Sequence, residues 1–393
     1  MNFVNECALG RRKKVVLSIV LGLLNLAVIS GLYLGAVVWR SSKYPVTYNA
    51  WTGDAYRADE NYGHYPALTN LGYHSLQRRE RVPVIFDENA FRVPYGTRES
   101  AESPAFRILF LGDSFTHGDF VLAEDTFAYL TARELQASAL NAGGSGWGLS
   151  QMVLRAREAI PTMKPKIVVV QYSNWLPERS RQVYGPSYIG KDPTPYFYES
   201  EGRVKIQRPV FRSVILRLRI SKHVGRGLLH FVWRVGIPLF LHDDFHVLVT
   251  SLKIHLGLLP SPLSSRQRAV DFAYGEIQSL CKANGAEMLI LVLSNVMSDR
   301  PRDRLDAFTG AVVDPAESLV RGLPEPTVKA WERDYYFWRG DPPQIVDSHP
   351  NARMHARIAE VLVDTIRQLP LERSRVGSGP QDLSKNPRQR GPG

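Results

Sequence analysis

Hydrophobic positions along this chain fall into two patterns, one long unbroken run near the start and a later alternation of short runs with helical periodicities. Val15–Trp39 reads VVLSIVLGLLNLAVISGLYLGAVVW, with no charged side chain. About 25 such residues can span a hydrocarbon core of roughly 30 Å with some tilt. A cleaved signal peptide and a buried helix are the alternatives. A signal peptide's apolar stretch is usually shorter and ends in an A-x-A site, which is not evident here, so a retained anchor is expected.

From Ala105 the pattern changes. RILFLG (Arg107–Gly112) is a short apolar run closed by glycine, as a buried parallel strand should be. Helical stretches at Glu124–Gln136 and Ser150–Ile160 alternate with strands at Ser138–Asn141 and Lys166–Gln171. Arg266–Ala283 reads as a helix stopped near Gly285 and feeding a strand at Met288–Ser294. After Pro350, residues Met354, Ile358, Val361, Leu362 and Ile366 mark one face of a last helix. Strands alternating with helices predict an α/β fold, a three-layer sandwich around a parallel sheet.

The expected organisation is a basic N-terminus (1–14), the transmembrane helix (15–39), a loop-rich lead-in (40–104), a catalytic domain (105–371) and a disordered tail (372–393). The lead-in is rich in Tyr, Pro, Asn and Gly with little periodicity. The catalytic domain carries an insertion at about 176–265. Its second part is apolar but studded with Arg, Lys and His, without a charge-free run of membrane-spanning length. That pattern suits either a helical subdomain capping the site or a surface lying on a bilayer.

Composition narrows the picture. The chain has 393 residues, 44 % of them hydrophobic, which excludes wholesale disorder. The formal charge of +11 raises the question of nucleic acid. The basic residues cluster before the apolar run (Arg11, Arg12, Lys13, Lys14) and in the Gly/Pro/Ser-rich tail, and no nucleic-acid motif is present, so that partner is excluded. Only Arg40 and Lys43 closely follow the apolar run, which predicts a cytoplasmic N-terminus and a domain in the periplasm or outside. A single-pass protein of a bacterial inner membrane is the expected localisation. The two cysteines, Cys7 and Cys281, then lie on opposite sides of the membrane and form no disulfide framework.

Candidate chemistry gathers where strands end. GDSFTHG (Gly112–Gly118) directly follows a buried strand, so Ser114 stands at a strand-to-helix junction on the carboxyl edge of the sheet. There the helix N-terminus supplies N–H groups and a positive dipole end for a developing oxyanion; a loop serine capping its helix is the plain alternative. NAGGSGWG (Asn141–Gly148) offers a flexible backbone able to aim N–H groups at a ligand, or simply a tight turn. QYSNW (Gln171–Trp175) puts Asn174 at the same edge, as an oxyanion donor or a turn residue. DSHPNARMH (Asp347–His355) offers His349 as a base, with Asp347 two residues before it as an acid able to orient the ring.

These four segments resemble the SGNH, or GDSL-type, hydrolase superfamily, over roughly Ala105–Gly148, Lys164–Asn174 and Glu287–Leu369. FDENAFRVP (Phe86–Pro94) is similar to the segment preceding GDSFT in many membrane-associated members. The resemblance implies Ser114 as nucleophile and oxyanion donor, Gly146 and Asn174 as further oxyanion donors, and His349 as base. Two positions depart from it. The usual acid three residues before the histidine is Val346 here, which leaves Asp347 as the candidate orienter, Asp341 as a fallback, or a backbone carbonyl and a Ser–His dyad. The aspartate that often follows the third-block asparagine is Trp175.

Trp147 and Trp175 flank oxyanion positions, either to stack on a sugar or an acyl chain or to fill the core. His117, one helical turn past Ser114, is a structural or pocket-lining residue. HDDFH (His242–His246) pairs two histidines at i, i+4 but falls short of a metal site. Neither metal nor cofactor is expected. Cys281 reads as a buried core thiol. The expected activity is that of a serine esterase or acyltransferase adding or removing small acyl groups on an envelope or exported glycan, with a membrane acyl-donor protein as partner if it transfers. A lipid esterase with an apolar lid and a non-catalytic polysaccharide assembly protein are the alternatives.

Overall fold

The computed structural model describes residues 50–96, 106–184, 193–210 and 245–370, apart from 54, 67, 69–70, 77–79, 298 and 309, together with residues 16, 18–25, 28 and 31. Six short strands come first: β1 (Ala50–Gly53), β2 (Tyr56–Asp59), β3 (Gly63–Pro66), β4 (Gly72–Leu76), β5 (Glu80–Phe86) and β6 (Arg92–Val93). The α/β part then runs through β7 (Arg107–Gly112), α1 (Ser114–His117), α2 (Phe127–Glu134), β8 (Ser138–Gly143), α3 (Leu149–Met163), β9 (Ile167–Tyr172) and α4 (Leu176–Arg179). A hairpin of β10 (Tyr196–Ser200) and β11 (Arg203–Gln207) and helix α5 (Phe245–His255) follow. The chain returns to the α/β layers with α6 (Arg266–Ala283), β12 (Glu287–Val292), β13 (Ala311–Val313), α7 (Ala316–Arg321) and α8 (Val328–Tyr335). It closes with β14 (Phe337–Arg339), β15 (Gln344–Asp347) and α9 (Ala352–Gln368).

Nine strands form the main sheet in the order β1-β4-β5-β6-β8-β7-β9-β12-β13. The stretch from β8 to β13 is parallel, and its side chains alternate strictly between two helical layers. Leu109, Leu111, Val168, Val170 and Ile290 pack under α3 and α6, in one cluster with Met152, Ala156, Tyr274 and Ile277. Ile108, Phe110, Val169, Leu289 and Leu291 pack on the other face with Phe127, Trp331, Ile358 and Leu362. Both faces are covered, which is why these strands read as continuous apolar runs rather than alternating ones. Truncating a side chain such as Phe110, fully buried between the layers, costs about 3–5 kcal/mol.

Three expectations are corrected. The sheet is mixed rather than parallel: β1, β4, β5 and β6 extend it with antiparallel pairs, joined to the α/β part where Arg92 pairs with Asn141. The lead-in is therefore a strand-forming wing and not a loop-rich cover. Its strands were hidden because all but β5 have two to five residues, and because Pro83 sits inside β5. Pro83 stands opposite Tyr73 of β4, and on the other edge of β5 the partner β6 reaches only Ile85 and Phe86. The insertion, expected to be helical, also carries the β10–β11 hairpin, in which Phe197 pairs with Ile206.

Residues 16, 18–25, 28 and 31 are helical, with Val16, Leu21, Leu24 and Val28 exposed. The rest of the expected 15–39 span lies outside the described residues, as do residues 1–14, most of the apolar second part of the insertion and the 372–393 tail. Among the described residues no helix is long and apolar enough to cross a membrane.

Candidate active site

Helix α1 is a single turn at the carboxyl end of β7, and its first residue is Ser114. Asp113 caps it, accepting a hydrogen bond from Phe115 N–H at 3.0 Å on Oδ1. Gly118 ends it in the left-handed region with φ of 82°. A Cβ there would lie 2.3 Å from Thr126 Cγ2. Two further glycines let this turn sit against its neighbours. A Cβ on Gly112 would fall 2.1 Å from Thr116 Oγ1, and one on Gly143 would fall 2.3 Å from the His117 backbone nitrogen. Asn141 secures the same approach from β8, its Nδ2 donating to Thr116 O at 3.0 Å.

The last segment enters from the β14–β15 hairpin. Ser114 Oγ lies 2.9 Å from His349 Nε2. On the far side of the ring, Asp347 Oδ1 accepts from His349 Nδ1 at 2.5 Å. The three side chains thus form one hydrogen-bonded line on a partly buried surface, with the ring between Phe115 and Phe120 at centroid distances of 5.4 and 5.6 Å. Burial opposes a charge on His349, but the hydrogen bond and charge of Asp347, with Asp119 and Asp113 farther off, outweigh it and raise the ring's pKa. Asn351 anchors the segment, capping α9 and donating from Nδ2 to Asp334 O at 2.9 Å. Asp341 stands exposed in the hairpin turn.

Gly146 follows β8 with φ of 75°, a left-handed conformation that glycine adopts without strain. Its loop is drawn beside the Ser114 turn by Gly144 N–H, which donates to Gly112 O at 3.1 Å. No hydrogen bond among the described residues takes up the N–H of Ser114 or of Gly146.

Asn174 is differently engaged. Its Nδ2 donates to Arg300 O at 2.8 Å, while Oδ1 accepts from Tyr172 OH at 2.9 Å and Arg302 N–H at 3.0 Å. One amide hydrogen is committed to that loop and one is left over. Tyr172 is held in turn by Asp303 at 2.7 Å, which also pairs with Arg266.

Two residues considered as substrate contacts, Trp147 and His117, are buried and offer substrate no surface. Trp147 is 1 % exposed and stacks on Tyr62 at 5.4 Å, filling the core beneath its loop. His117 is fully buried, its Nδ1 bonded to Asp119 Oδ1 at 2.9 Å. Trp175 is partly exposed beside Phe115, and its indole N–H donates to Asp113 Oδ2 at 2.6 Å.

Several organising residues escaped the sequence. Asp113 is a fully buried hub, receiving Trp175, Gln171 Nε2 at 2.8 Å and Arg179 at 2.7 Å, and so ties the Ser114 turn to the end of β9. Arg92 is buried beneath the same turn and donates to the carbonyls of His117, Gly118 and Val121. Burial brings its pKa down to about 10. Asp119 accepts from Ser145 Oγ at 2.7 Å as well as from His117. Only Asp113 had a signal, its position inside GDS; the others are single polar residues in unpatterned sequence.

His74, His117 and Asp119 lie close enough for a metal to be considered. Burial pushes both rings well below the ordinary histidine range, so they are neutral near pH 7. Phe120 N–H donates to His74 Nδ1 at 3.0 Å, which leaves the ring proton on Nε2, facing Asp119 Oδ1 at 3.7 Å. A protonated nitrogen is a donor and not a ligand, so the group fits a hydrogen-bonded network. That network holds Phe120, at a left-handed φ of 67°, against His349. The HDDFH face lies outside the described residues except at the backbone of α5. Cys281 is buried and unpaired, its thiol pushed up to about 12 by burial.

No protein-family model and no curated protein sequence matches this chain. Solved structures do overlap it. A carbohydrate esterase family 2 enzyme with a carbohydrate-binding domain from Corynascus thermopiles (Myceliophthora fergusii) is 16 % identical, with a TM-score of 0.30, over 70 % of this chain and 68 % of that one. A catalytic mutant of an acetylxylan esterase from Geobacillus stearothermophilus is 12 % identical, TM-score 0.32, over 67 % and 95 %. A GDSL-like lipase from Bacteroides thetaiotaomicron is 12 % identical, TM-score 0.29, over 68 % and 92 %.

Proposed function

We propose that the protein is a serine esterase or acyltransferase working through an acyl-Ser114 intermediate. The observation that carries this reading is the continuous line from Ser114 Oγ through the His349 ring to Asp347, with contacts of 2.9 and 2.5 Å. In that arrangement His349 Nε2 takes the hydroxyl proton as Ser114 Oγ attacks an ester carbonyl. Asp347 holds the proton on Nδ1 and stabilises the imidazolium that forms. The N–H groups of Ser114 and Gly146 receive the oxyanion, joined by the second amide hydrogen of Asn174. Collapse of the tetrahedral intermediate breaks the bond to the leaving alcohol, which takes the proton back from His349. Water then releases the acyl group in a hydrolase, and an acceptor hydroxyl does so in a transferase.

The preferred substrate is a small acyl group on an envelope or exported glycan, met by a domain that residues 15–39 tether to the outer face of a bacterial inner membrane. A transferase would draw its acyl group from a membrane donor protein. Trp175, partly exposed beside α1, is the aromatic surface for the sugar or acyl chain. A lipid ester is the second reading, favoured by Leu252, Leu256 and Leu258, which are 53–69 % exposed at the end of α5.

Purified full-length protein in detergent, assayed on acetyl and long-chain esters with and without acceptor glycans, tests the reading. Turnover and labelling by a serine-directed phosphonate are expected, with both lost in Ser114→Ala. Undiminished labelling of that variant would sink the assignment. Product retained on the glycan rather than in water would mark a transferase.

A further inference from the structure

We infer that His64, in the N-terminal wing, is a positioning residue that sets the direction of the Gly146 oxyanion donor; this rests on the acyl-Ser114 reading above. His64 begins no recognisable motif and lies in β3, outside the α/β part. Its Nε2 nevertheless reaches the backbone carbonyl of Ser145 at 2.7 Å. A carbonyl oxygen only accepts, so the ring's proton on that side is on Nε2.

The consequence follows from the planarity of the peptide group. Ser145 C=O and Gly146 N–H belong to the same unit, and in a trans peptide they point in opposite directions. A donor that captures the carbonyl therefore aims the N–H away from itself. Rotating the unit by half a turn would swing the carbonyl towards the oxyanion and replace attraction with repulsion. Glycine at position 146 makes such a rotation cheap, because its φ of 75° sits in a region from which glycine moves freely. Something outside the loop has to hold the peptide.

Ser145 is held at three atoms. His64 takes its carbonyl. Asp119 Oδ2 accepts from its Oγ at 2.7 Å. Tyr56 OH lies 3.4 Å from its N–H. Asp119 stands just past the nucleophile helix, and Tyr56 and His64 come from paired strands β2 and β3, packed edge to face at 5.5 Å. Asp119 fixes the side chain, but a rotation about the bonds flanking the 145–146 peptide leaves that side chain in place. Among the described residues, only the His64 bond to the carbonyl opposes the flip directly. The β2–β3 hairpin thus holds the Ser145 main chain from both ends, Tyr56 at its N–H and His64 at its carbonyl, and the His64 bond is the one that sets the 145–146 peptide.

His64→Phe keeps the ring against Tyr56 and removes the donor. His64→Gln supplies an amide N–H in nearly the same place. Turnover of an acetyl ester by His64→Phe is expected to fall by on the order of 10²-fold in kcat, as for loss of one oxyanion donor, with KM and the unfolding temperature little changed. His64→Gln should recover most of that loss. His64→Ala serves the same comparison if phenylalanine is not accommodated. Equal kcat in wild type and His64→Phe would overturn the inference, as would equal losses in the Phe and Gln variants. A crystal structure of His64→Phe gives a readout independent of activity: the 145–146 peptide should be rotated, and an unmoved peptide would also overturn it. Failure of the acyl-Ser114 reading looks different, since wild type itself would then neither turn over esters nor take the phosphonate.

Discussion

Asp347 Oδ1 accepts two hydrogen bonds from His349, one from its backbone N–H at 2.8 Å and one from ring Nδ1 at 2.5 Å. An acid two residues before its histidine can reach the ring only if the chain bends back locally. The aspartate makes that bend itself, because a side chain that captures the N–H two residues on mimics a backbone turn. The same oxygen builds the turn and holds the imidazole ring.

Asp347→Asn should therefore fold and lose roughly 10²–10⁴ in kcat, since an amide there favours the wrong ring tautomer. The pH profile adds a second reading. His349 must be neutral to act as a base, and its pKa is raised above the ordinary value of 6.5. Activity should fall as pH drops through that raised value, so the acidic limb lies above about 6.5 in wild type. In Asp347→Asn the limb should move to lower pH. A variant with wild-type turnover and an unmoved limb would exclude Asp347 as the orienter.

Asn174→Ala tests whether the spare amide hydrogen reaches the oxyanion. As a donor it should contribute on the order of 10²-fold to kcat with little change in KM. A loss of less than about threefold would assign Asn174 to holding the Arg300–Arg302 loop alone.

Gly143→Ala should damage folding before chemistry. Its Cβ would stand 2.3 Å from the His117 nitrogen and 2.8 Å from the His117 Cα, backbone that cannot turn aside as a side chain would. A loss of about 1–3 kcal/mol in denaturant unfolding is expected for such overpacking. An unchanged midpoint would show that α1 can move off β8.

Acid should destabilise the protein through histidines kept neutral by burial. His355 is fully buried, with Nδ1 accepting from Phe127 N–H at 3.1 Å, and burial lowers its pKa to about 3. The unfolded chain takes up that proton near pH 6.5 and the folded one does not, so stability falls as pH drops below about 6.5, by roughly 1.4 kcal/mol per unit for this group. His74 and His117 act in the same direction. His349 acts oppositely, its stabilisation being present in acid and lost as pH rises through its raised pKa. Unfolding free energies between pH 7 and 5 should show a net fall that His355→Gln reduces. A flat profile would contradict neutral burial of His355.

The α/β layers were legible because both faces of each parallel strand are buried. Apolar runs such as Ile108–Leu111 and Ile167–Val170 and the face marked by Met354, Ile358 and Leu362 record that burial in the sequence itself. The segments that carry Ser114, Asn174 and His349 stood out for a local reason too, each falling where a strand ends or a helix begins, whereas Gly146 was singled out within its segment only by the family resemblance. What the chain does over long separations left no such record. The wing from β1 to β6 is made mostly of strands of two to five residues, with a proline inside the one longer strand, β5, and its pairing depends on partners elsewhere. Trp147 and His117 sit beside motif positions yet are buried, because the Tyr62 ring covers one and Asp119 claims the other. The bond from His64 to Ser145 joins residues 81 positions apart. A hydrogen bond to a backbone carbonyl asks nothing of the accepting residue's identity, so only the folded chain could reveal it.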